Sequence, residues 1–183
     1  LLDELVSFGS FEKLNDRIGS YCRNSKTVDF YEQVLHRLAT DYNTKQVART
    51  LSLLTLTLKG FTENEIKELA GISQLQWSQL KTEMRSWLTI RNGCHSISDS
   101  LMQEAVSHHF TDNCSQSLRQ EIESYLLESE EMNHELTFAD YNHRLKQFCY
   151  HDFYRYILEI TYQKYRMQQW RQLAEWILNP QNF

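Results

Sequence analysis

The amino-acid sequence predicts a mostly α-helical protein that contains one β-hairpin. Its 183 residues include one Pro and five Gly, a composition that favours helices over a sandwich of strands and turns. Apolar side chains recur at helical spacing along most of the chain. The exception is LTIRNGCHSIS at residues 88–98, where Asn92-Gly93 separates two short runs of alternating side chains. Asn-Gly between such runs is a strong hairpin signal.

Composition and charge restrict the class of protein. Apolar residues make up 41% and aromatic residues 13% of the chain, enough for a packed core. The formal net charge of −5 provides no global attraction to nucleic acid or to an anionic membrane. No apolar run reaches the length of a membrane span. The four cysteines are far apart and form no C-x-x-C pair, which favours free thiols and predicts a cytoplasmic location.

Residues 1–43 are predicted to form a helical segment. The opening LLDELVSFG is typical of the end of a helix closed by Gly9 and lacks the pattern of a secretory signal, so we expect a fragment of a longer protein. Ser10 is a candidate N-cap for the first complete helix. The apolar stripes of the two helices that follow consist of Phe11, Leu14 and Ile18, and of Phe30, Tyr31, Val34, Leu35, Leu38 and Tyr42.

Residues 44–60 predict a helix that is apolar almost all round and therefore central to its domain. We expect it to begin at Thr44 and to end at Gly60. Its main stripe is predicted to face the core through Leu51, Leu54 and Leu58.

Two short helices and the hairpin are predicted to follow. Thr62 and Glu65 have the spacing of a capping box, Gly71 is expected to end the first short helix, and Ser73 to begin the second. The inner face of the second consists of Trp77, Leu80 and Met84. Helix, short helix, helix and hairpin in this order predict a winged-helix domain over residues 44–110, with the hairpin as its wing.

Helices are also predicted beyond the wing. Asp99 or Ser98 is expected to cap the next helix. Its inner side is predicted to carry Leu101, Ala105 and either His108 or His109. Residues 111–183 predict a C-terminal helical bundle that resembles the first units of an α-solenoid. Its buried stripes are expected to be Phe153, Ile157, Ile160 and Tyr165, and Trp170, Leu173, Trp176 and Ile177.

The sequence contains no recognisable catalytic or metal-binding motif. It has no P-loop and no other Gly-rich phosphate loop, so nucleotide hydrolysis by this chain is not supported. The serines at residues 96–100 suit a hairpin face and a helix cap better than a catalytic triad. The potential zinc ligands His108, His109, Cys114, Cys149 and His151 match no paired pattern. We therefore predict no catalytic residue, cofactor-binding residue or metal ligand, and a protein that is not an enzyme.

A nucleic-acid-binding winged helix is the alternative hypothesis. The helix in the recognition position contributes Lys81 and Arg85, and the wing tip contributes Arg91 and His95. Glu83 dilutes these cations, whereas duplex binding usually needs a clustered basic stripe. Lys81, Arg85 and Arg91 are therefore kept as alternative nucleic-acid contacts, while binding to nucleic acid or to a membrane is not the favoured interpretation.

Four strings, taken in order, resemble a known family. They are LDELVSFGSFEKL, VARTLSLLTLTLKGFTENEIKELAGISQLQWSQL, SDSLMQEAV and ILEITYQKYRMQQWRQLAEWILNPQNF. Together they are similar to the region after the NACHT nucleotide-binding module of STAND-type NTPases, as in nephrocystin-like and telomerase-associated-protein-like members. The resemblance implies that residues 1–43 are the end of the NTPase lid region and residues 44–110 the winged helix. Residues 111–183 would then be the helical region leading toward TPR or WD repeats.

The resemblance also implies a role. In such proteins the winged helix packs on the nucleotide-binding module, helps to hold it closed with ADP, and moves when it opens. Many relatives carry a His just after the wing, and in some of them it reaches the nucleotide phosphates. Asp99 stands at that position here, and a carboxylate facing phosphates is electrostatically unfavourable.

We therefore expect a non-catalytic regulatory and scaffolding segment that couples a nucleotide-binding module to repeat domains. Its expected partners are those intramolecular modules and other proteins of a larger assembly, and ATP or ADP would bind only in the parent protein. Exposed aromatic residues of the C-terminal helices, Trp170 or Trp176, are expected to dock the next helical unit as part of a sizeable apolar patch.

Overall fold

The computed structural model describes residues 14–22, 27–111, 115–129 and 149–179. Within these residues the protein is mostly α-helical with one antiparallel two-stranded hairpin, which confirms the predicted fold class. The chain divides into two compact units, Leu1–Cys114 and Ser115–Phe183. The three-part division predicted from the sequence stays a prediction. No described helix combines the length and the apolar character that a membrane span requires.

The first unit begins with α1 (Leu14–Cys22) and α2 (Thr27–Asp41). α2 buries Val34, Leu35 and Leu38, as its apolar stripe predicts. Phe30 in the first turn of α2 meets Tyr21 of α1 edge to face, with 5.0 Å between the ring centroids. The predicted cap Ser10, the stop signal Gly9 and the core residue Phe11 lie outside the described residues.

The central helix α3 (Thr44–Leu56) ends earlier than the sequence predicts. Thr57 is extended (φ −84°, ψ 149°), and its hydroxyl accepts a 2.9 Å hydrogen bond from the Gly60 backbone nitrogen. Leu58 is therefore outside the helix and 49% exposed, so the predicted helix end at Gly60 and the predicted burial of Leu58 are wrong. Beyond the early end of α3 the chain continues to Phe61, which pairs with the hairpin. α3 nevertheless has buried residues on all its sides, as predicted for a central helix: Val47, Thr50, Leu51, Ser52, Leu53, Leu54 and Leu56.

α4 (Glu63–Ala70) and α5 (Gln74–Glu83) both begin with complete capping boxes. The Thr62 hydroxyl accepts from the Glu65 backbone nitrogen, and the Glu65 carboxylate accepts from the Thr62 backbone nitrogen at 2.7 Å. Ser73 and Gln76 repeat the arrangement at the start of α5. Gly71 ends α4 in the left-handed conformation, with φ 64°. These local predictions are confirmed.

The predicted hairpin consists of β1 (Leu88–Arg91) and β2 (Cys94–Ile97), with Arg91 opposite Cys94. Asn92 and Gly93 both have positive φ, 51° and 78°, as a two-residue type I′ turn requires.

β2 is the inner strand of this hairpin. On its other side, the Phe61 backbone nitrogen donates to the His95 carbonyl oxygen at 3.1 Å, and the His95 backbone nitrogen donates to the Phe61 carbonyl oxygen at 2.7 Å. β1 is therefore the outer edge. Trp77 of α5 and Met84, the C-cap of α5, are fully buried, as predicted. The helix–turn–helix followed by a hairpin is the element order of a winged helix.

α6 (Ser100–Val106) continues into a π-helical turn, Ser107–Thr111. Its buried face consists of Met102, Ala105 and Val106. Because Met102 occupies the inner position at the start of this face, Leu101 is exposed, and His108 and His109 are exposed as well. The predicted inward placement of these three residues is wrong, whereas that of Ala105 is confirmed.

The second unit contains α7 (Ser115–Glu128), α8 (Cys149–Arg166) and α9 (Trp170–Leu178). α8 contacts both α7 and α9. The turn into α9 passes through Gln168 in the left-handed region, with φ 58°, and the Gln169 backbone nitrogen donates to the Lys164 carbonyl oxygen at 3.1 Å. The apolar residues buried in this unit include Leu118, Ile122, Leu126, Ile157 and Ile160.

The predicted burial of Ile157 and Ile160 is confirmed, whereas that of Tyr165 is wrong, because its side chain is 55% exposed. Phe153, Cys149 and His151 have side chains outside the described set, and Cys114 lies outside it altogether.

Candidate functional site

The cationic residues predicted as nucleic-acid contacts do not form a free basic stripe. Lys81 Nζ lies 2.6 Å from Glu63 Oε1, and both side chains are partly exposed. The hydrogen bond from Lys81 is the main reason that the pKa of the Glu63 carboxyl is lowered. Arg85 and Arg91 are exposed, the first just after α5 and the second at the end of β1. The lysine of the predicted trio thus already has an internal partner.

Glu83 also has an internal partner. Its carboxylate accepts from Arg37 at 2.9 Å, and Arg37 pairs in addition with Asp41 at 3.1 Å. Arg37 is buried, so this pair connects α2 with the end of α5. Lys81 and Glu83 are therefore both paired with oppositely charged side chains of the first unit. Exposed α5 residues include Leu75, Ser78, Gln79 and Thr82, which are uncharged.

His95, which the sequence places at the wing tip, is buried and only 3% exposed. Its ring meets Trp77 edge to face at 5.3 Å, and its Nε2 lies 3.7 Å from Glu63 Oε1. Burial, followed by the positive charge of Lys81, lowers the pKa of His95. The prediction of an exposed His95 is wrong because Phe61 makes β2 the inner strand. His95 is therefore not available as a nucleic-acid contact.

Asp99, one of the two residues predicted to cap the helix after the hairpin, is the N-cap of α6. Its Oδ1 accepts from the Met102 backbone nitrogen at 2.9 Å, and its Oδ2 accepts from the Tyr31 hydroxyl at 3.0 Å. Burial and the hydrogen bond to Asp99 raise the pKa of Tyr31. Both carboxylate oxygens of Asp99 thus accept hydrogen bonds from other residues of the first unit.

The first unit also contains a polar groove with a volume of about 720 Å³. It is lined by the polar face of α2, from Asp29 to Asp41, and by His109. Nearby, His108 Nδ1 lies 3.3 Å from Glu32 Oε1. In the part of the chain that the structure describes, no group of three His, Cys, Asp or Glu side chains is placed to hold a metal ion.

Buried polar side chains connect α7 and α8 in the second unit. Arg119 donates to Gln163 Oε1 at 2.7 Å, and Gln163 Nε2 donates to Glu159 Oε1 at 2.7 Å. We call these three residues the polar ladder. Lys164 forms an ion pair with Glu123 beside it. Because Glu159 and Gln163 are fully buried, the ladder is part of the core of this unit.

The most distinctive surface of the second unit is apolar and aromatic. α9 has no buried residue, although its sequence WRQLAEWIL is strongly amphipathic. Trp170 is 57% exposed, Ile177 48% and Leu178 80%. Tyr154 and Tyr165 of α8 are more than half exposed, and the Tyr165 ring meets the Trp170 ring at 5.7 Å. We call the set Tyr154, Tyr165, Trp170, Ile177 and Leu178 the α8–α9 apolar surface.

Trp176 has a different environment. Its Nε1 donates to Thr161 Oγ1 at 3.2 Å, and the Lys164 ammonium lies 5.8 Å from the centre of its indole ring. Trp176 therefore attaches α9 to α8, whereas Trp170 contributes to the α8–α9 apolar surface. The predicted burial of Trp170 and Ile177 is wrong, and the expectation of exposed aromatic residues holds for Trp170.

The polar ladder and the contacts of His95 with Trp77 and Glu63 are not predicted from the sequence. Arg155, Glu159 and Gln163 recur every four residues along α8, a spacing that normally indicates a solvated helix face. All three are buried. A long-range partner such as Arg119 cannot be recognised from spacing within α8 alone.

Comparison with known proteins gives one partial similarity. No family model matches the sequence, and no solved structure matches it. A TPR repeat-containing protein of Dictyostelium discoideum is 28% identical over 116 residues, which are 60% of this chain. The matched region is 7% of that protein, so this chain is similar to a small part of a much longer relative.

Proposed function

We propose that this chain is a non-catalytic regulatory and scaffolding segment of a multidomain STAND-type NTPase. It would couple a nucleotide-binding module to repeat domains through protein–protein packing. The observation that carries the proposal is the α8–α9 apolar surface. Large apolar and aromatic side chains are exposed on both helices of this pair, and Tyr165 and Trp170 are in contact with each other. Exposed apolar patches of this kind are typical of protein-interaction sites.

The comparison supports the interaction part of this proposal. The Dictyostelium relative is described as containing TPR repeats. Such repeats are helix pairs that bury their apolar faces by stacking on neighbouring pairs. A helix pair with one apolar face uncovered, as α8 and α9 have, suits the same kind of packing. The NTPase context rests on the four strings that resemble the region after a NACHT module.

The first unit supports a structural role for the segment after the wing. Because Asp99 caps α6 and accepts from Tyr31, it acts as a structural residue where relatives place a nucleotide-contacting His. ATP or ADP would therefore bind in another module of the parent protein. A cytoplasmic location is part of the same proposal.

The test compares hydrogen exchange in this chain with exchange in the full-length natural protein that contains it. If α9 packs on another module, the backbone amides of residues 170–178 exchange more slowly in the full-length protein. The amides of residues 51–56 in buried α3 are the internal reference, and we expect them to exchange equally in both. Equal exchange of residues 170–178 in the two proteins would overturn the proposal.

Nucleic-acid binding is the alternative function. The observation that favours it is the exposure of two arginines, Arg85 and Arg91. Its test is fluorescence anisotropy of labelled duplex DNA and RNA at low salt, with the double variant Arg85→Ala, Arg91→Ala. The matched control changes two exposed lysines that belong neither to α5 nor to the hairpin, Lys45→Ala with Lys59→Ala. Loss of binding and a smaller salt slope only in the arginine variant would favour the alternative. Absence of binding by the natural sequence would remove it.

A further inference from the structure

One face of α9 contains a complete acceptor site for a side chain of another helix. In knobs-into-holes packing, a hole is formed by residues i, i+3, i+4 and i+7 of one helix. Four apolar residues of α9 have this spacing: Trp170, Leu173, Ala174 and Ile177. Leu173 is half-buried and the other three are exposed, so the hole is open to solvent.

The hole adjoins an interface that is already formed. Trp176 attaches α9 to α8 through Thr161, and Trp170 meets Tyr165 of α8. α8 in turn packs on α7, so α7, α8 and α9 are successive layers of helices. Ala174 lies between the larger side chains of Trp170 and Ile177, and its small size permits close approach of another backbone. A further helix along this face would continue the same packing.

We propose that this hole receives a large aliphatic side chain from an amphipathic α-helix of a helical-repeat partner, which packs along α9. The inference rests on the proposed function and specifies its partner. The polar side of α9 disfavours an anionic membrane as the occupant. Arg171 and Glu175 form an i, i+4 ion pair at 3.1 Å, so their charges cancel, whereas helices that lie on anionic membranes are rich in Lys and Arg.

The test places the photo-crosslinking amino acid p-benzoylphenylalanine at position 174 of the full-length natural protein. The matched control places it at Gln172, which is exposed and lies about 200° around the helix from Trp170, on the polar side. We expect position 174 to crosslink to an aliphatic residue on one face of a helix in a repeat module, several times more often than position 172. Crosslinks to a second copy, to lipid or to a non-helical segment, or none above the control, would overturn the inference.

A second variant guards against disturbance of α9 by the bulky crosslinker. Ala174→Leu fills the hole with only three additional carbon atoms and retains high helix propensity. In the full-length protein it should increase hydrogen exchange of residues 170–178, whereas Gln172→Leu should leave exchange unchanged. Equal effects of the two variants would contradict the inference. If α9 is protected in the natural protein but crosslinks to a non-helical segment, the proposed function stands and this inference fails. If α9 is not protected, both fail.

Discussion

The Tyr31 hydroxyl donates a hydrogen bond to Asp99 while the same carboxylate caps α6 through the Met102 backbone nitrogen. One side chain thus begins a helix and attaches it to α2, a helix 68 residues earlier in the sequence. The arrangement explains why a carboxylate is suitable at this position. A capping oxygen at a helix N-terminus is stabilised by the free backbone N–H groups and by the helix dipole.

Asp99→Ala is expected to lower the free energy of unfolding by about 1–2 kcal/mol, because it removes the cap and leaves the Tyr31 hydroxyl without this acceptor. Asp99→Asn retains a capping oxygen and should cost less. Tyr31→Phe removes only the connection to α2, and its expected cost is about 1 kcal/mol. Urea denaturation followed by circular dichroism measures all three. An Asp99→Ala variant as stable as the natural sequence would contradict the structural role.

Leu54 and Leu58 provide a matched pair for the early end of α3. Leu54→Ala should lower the free energy of unfolding by about 2–5 kcal/mol, because it leaves a cavity in the core. Leu58→Ala should cost less than about 1 kcal/mol, because the side chain is half exposed beyond the helix. Chemical denaturation of the two variants decides the point. Equal losses would mean that the helix continues to Gly60 and that Leu58 is part of the core.

Gly60 and Gly71 both adopt positive φ but differ in the space around them. A Cβ at Gly60 would lie 2.8 Å from the His95 carbonyl oxygen, whereas a Cβ at Gly71 meets no atom within 4 Å. Gly71→Ala should therefore cost only the left-handed strain of about 1–2 kcal/mol. Gly60→Ala should cost more, because the backbone at Gly60 would have to move away from the hairpin. Thermal unfolding ranks the two, and a smaller cost at Gly60 would be contrary to this expectation.

His95 should make stability depend on pH below neutrality. Its pKa is lowered in the folded state, chiefly by burial and then by Lys81, whereas the pKa in the unfolded chain is about 6.5. Between the lowered pKa and this value the unfolded chain binds more protons, so stability falls as the pH drops through the window. The groups that face the imidazole are Glu63 and Lys81. We expect a larger loss of unfolding free energy from pH 7.5 to 5.5 in the natural sequence than in His95→Gln.

The control for this experiment is His36→Gln, because the His36 side chain is exposed on α2. It should retain the pH dependence of the natural sequence. If the control variant and His95→Gln both reduce the pH dependence of the unfolding free energy by the same amount, His95 is not the source of that dependence.

Local signals in the sequence predicted much of the first unit. The capping box of Thr62 and Glu65, the cap at Ser73 and the Asn92-Gly93 turn each depend on a few neighbouring residues, and all are present. The hydrophobic stripe of α2 also predicted its buried face. Such features are encoded within about one or two helical turns, so no knowledge of distant contacts is needed.

Features that depend on distant residues could not be predicted. α3 ends before Leu58, and the chain then pairs at Phe61 with His95, which is 34 positions away. The same pairing buries His95, although its place close to the Asn92-Gly93 turn predicts a wing tip open to solvent. The amphipathic pattern of α9 predicts a core position for Trp170 and Ile177, which are exposed. Such a pattern indicates an apolar face without showing whether anything covers it.

The polar ladder also restricts how this chain can change during evolution. Arg119, Gln163 and Glu159 satisfy one another in the core, so replacing one of them leaves a buried polar or charged group with fewer partners. Single substitutions at these positions should therefore be selected against, whereas an apolar trio would be acceptable. In a set of natural variants, positions 119, 159 and 163 should therefore covary, so that the three polar residues are retained together or replaced together.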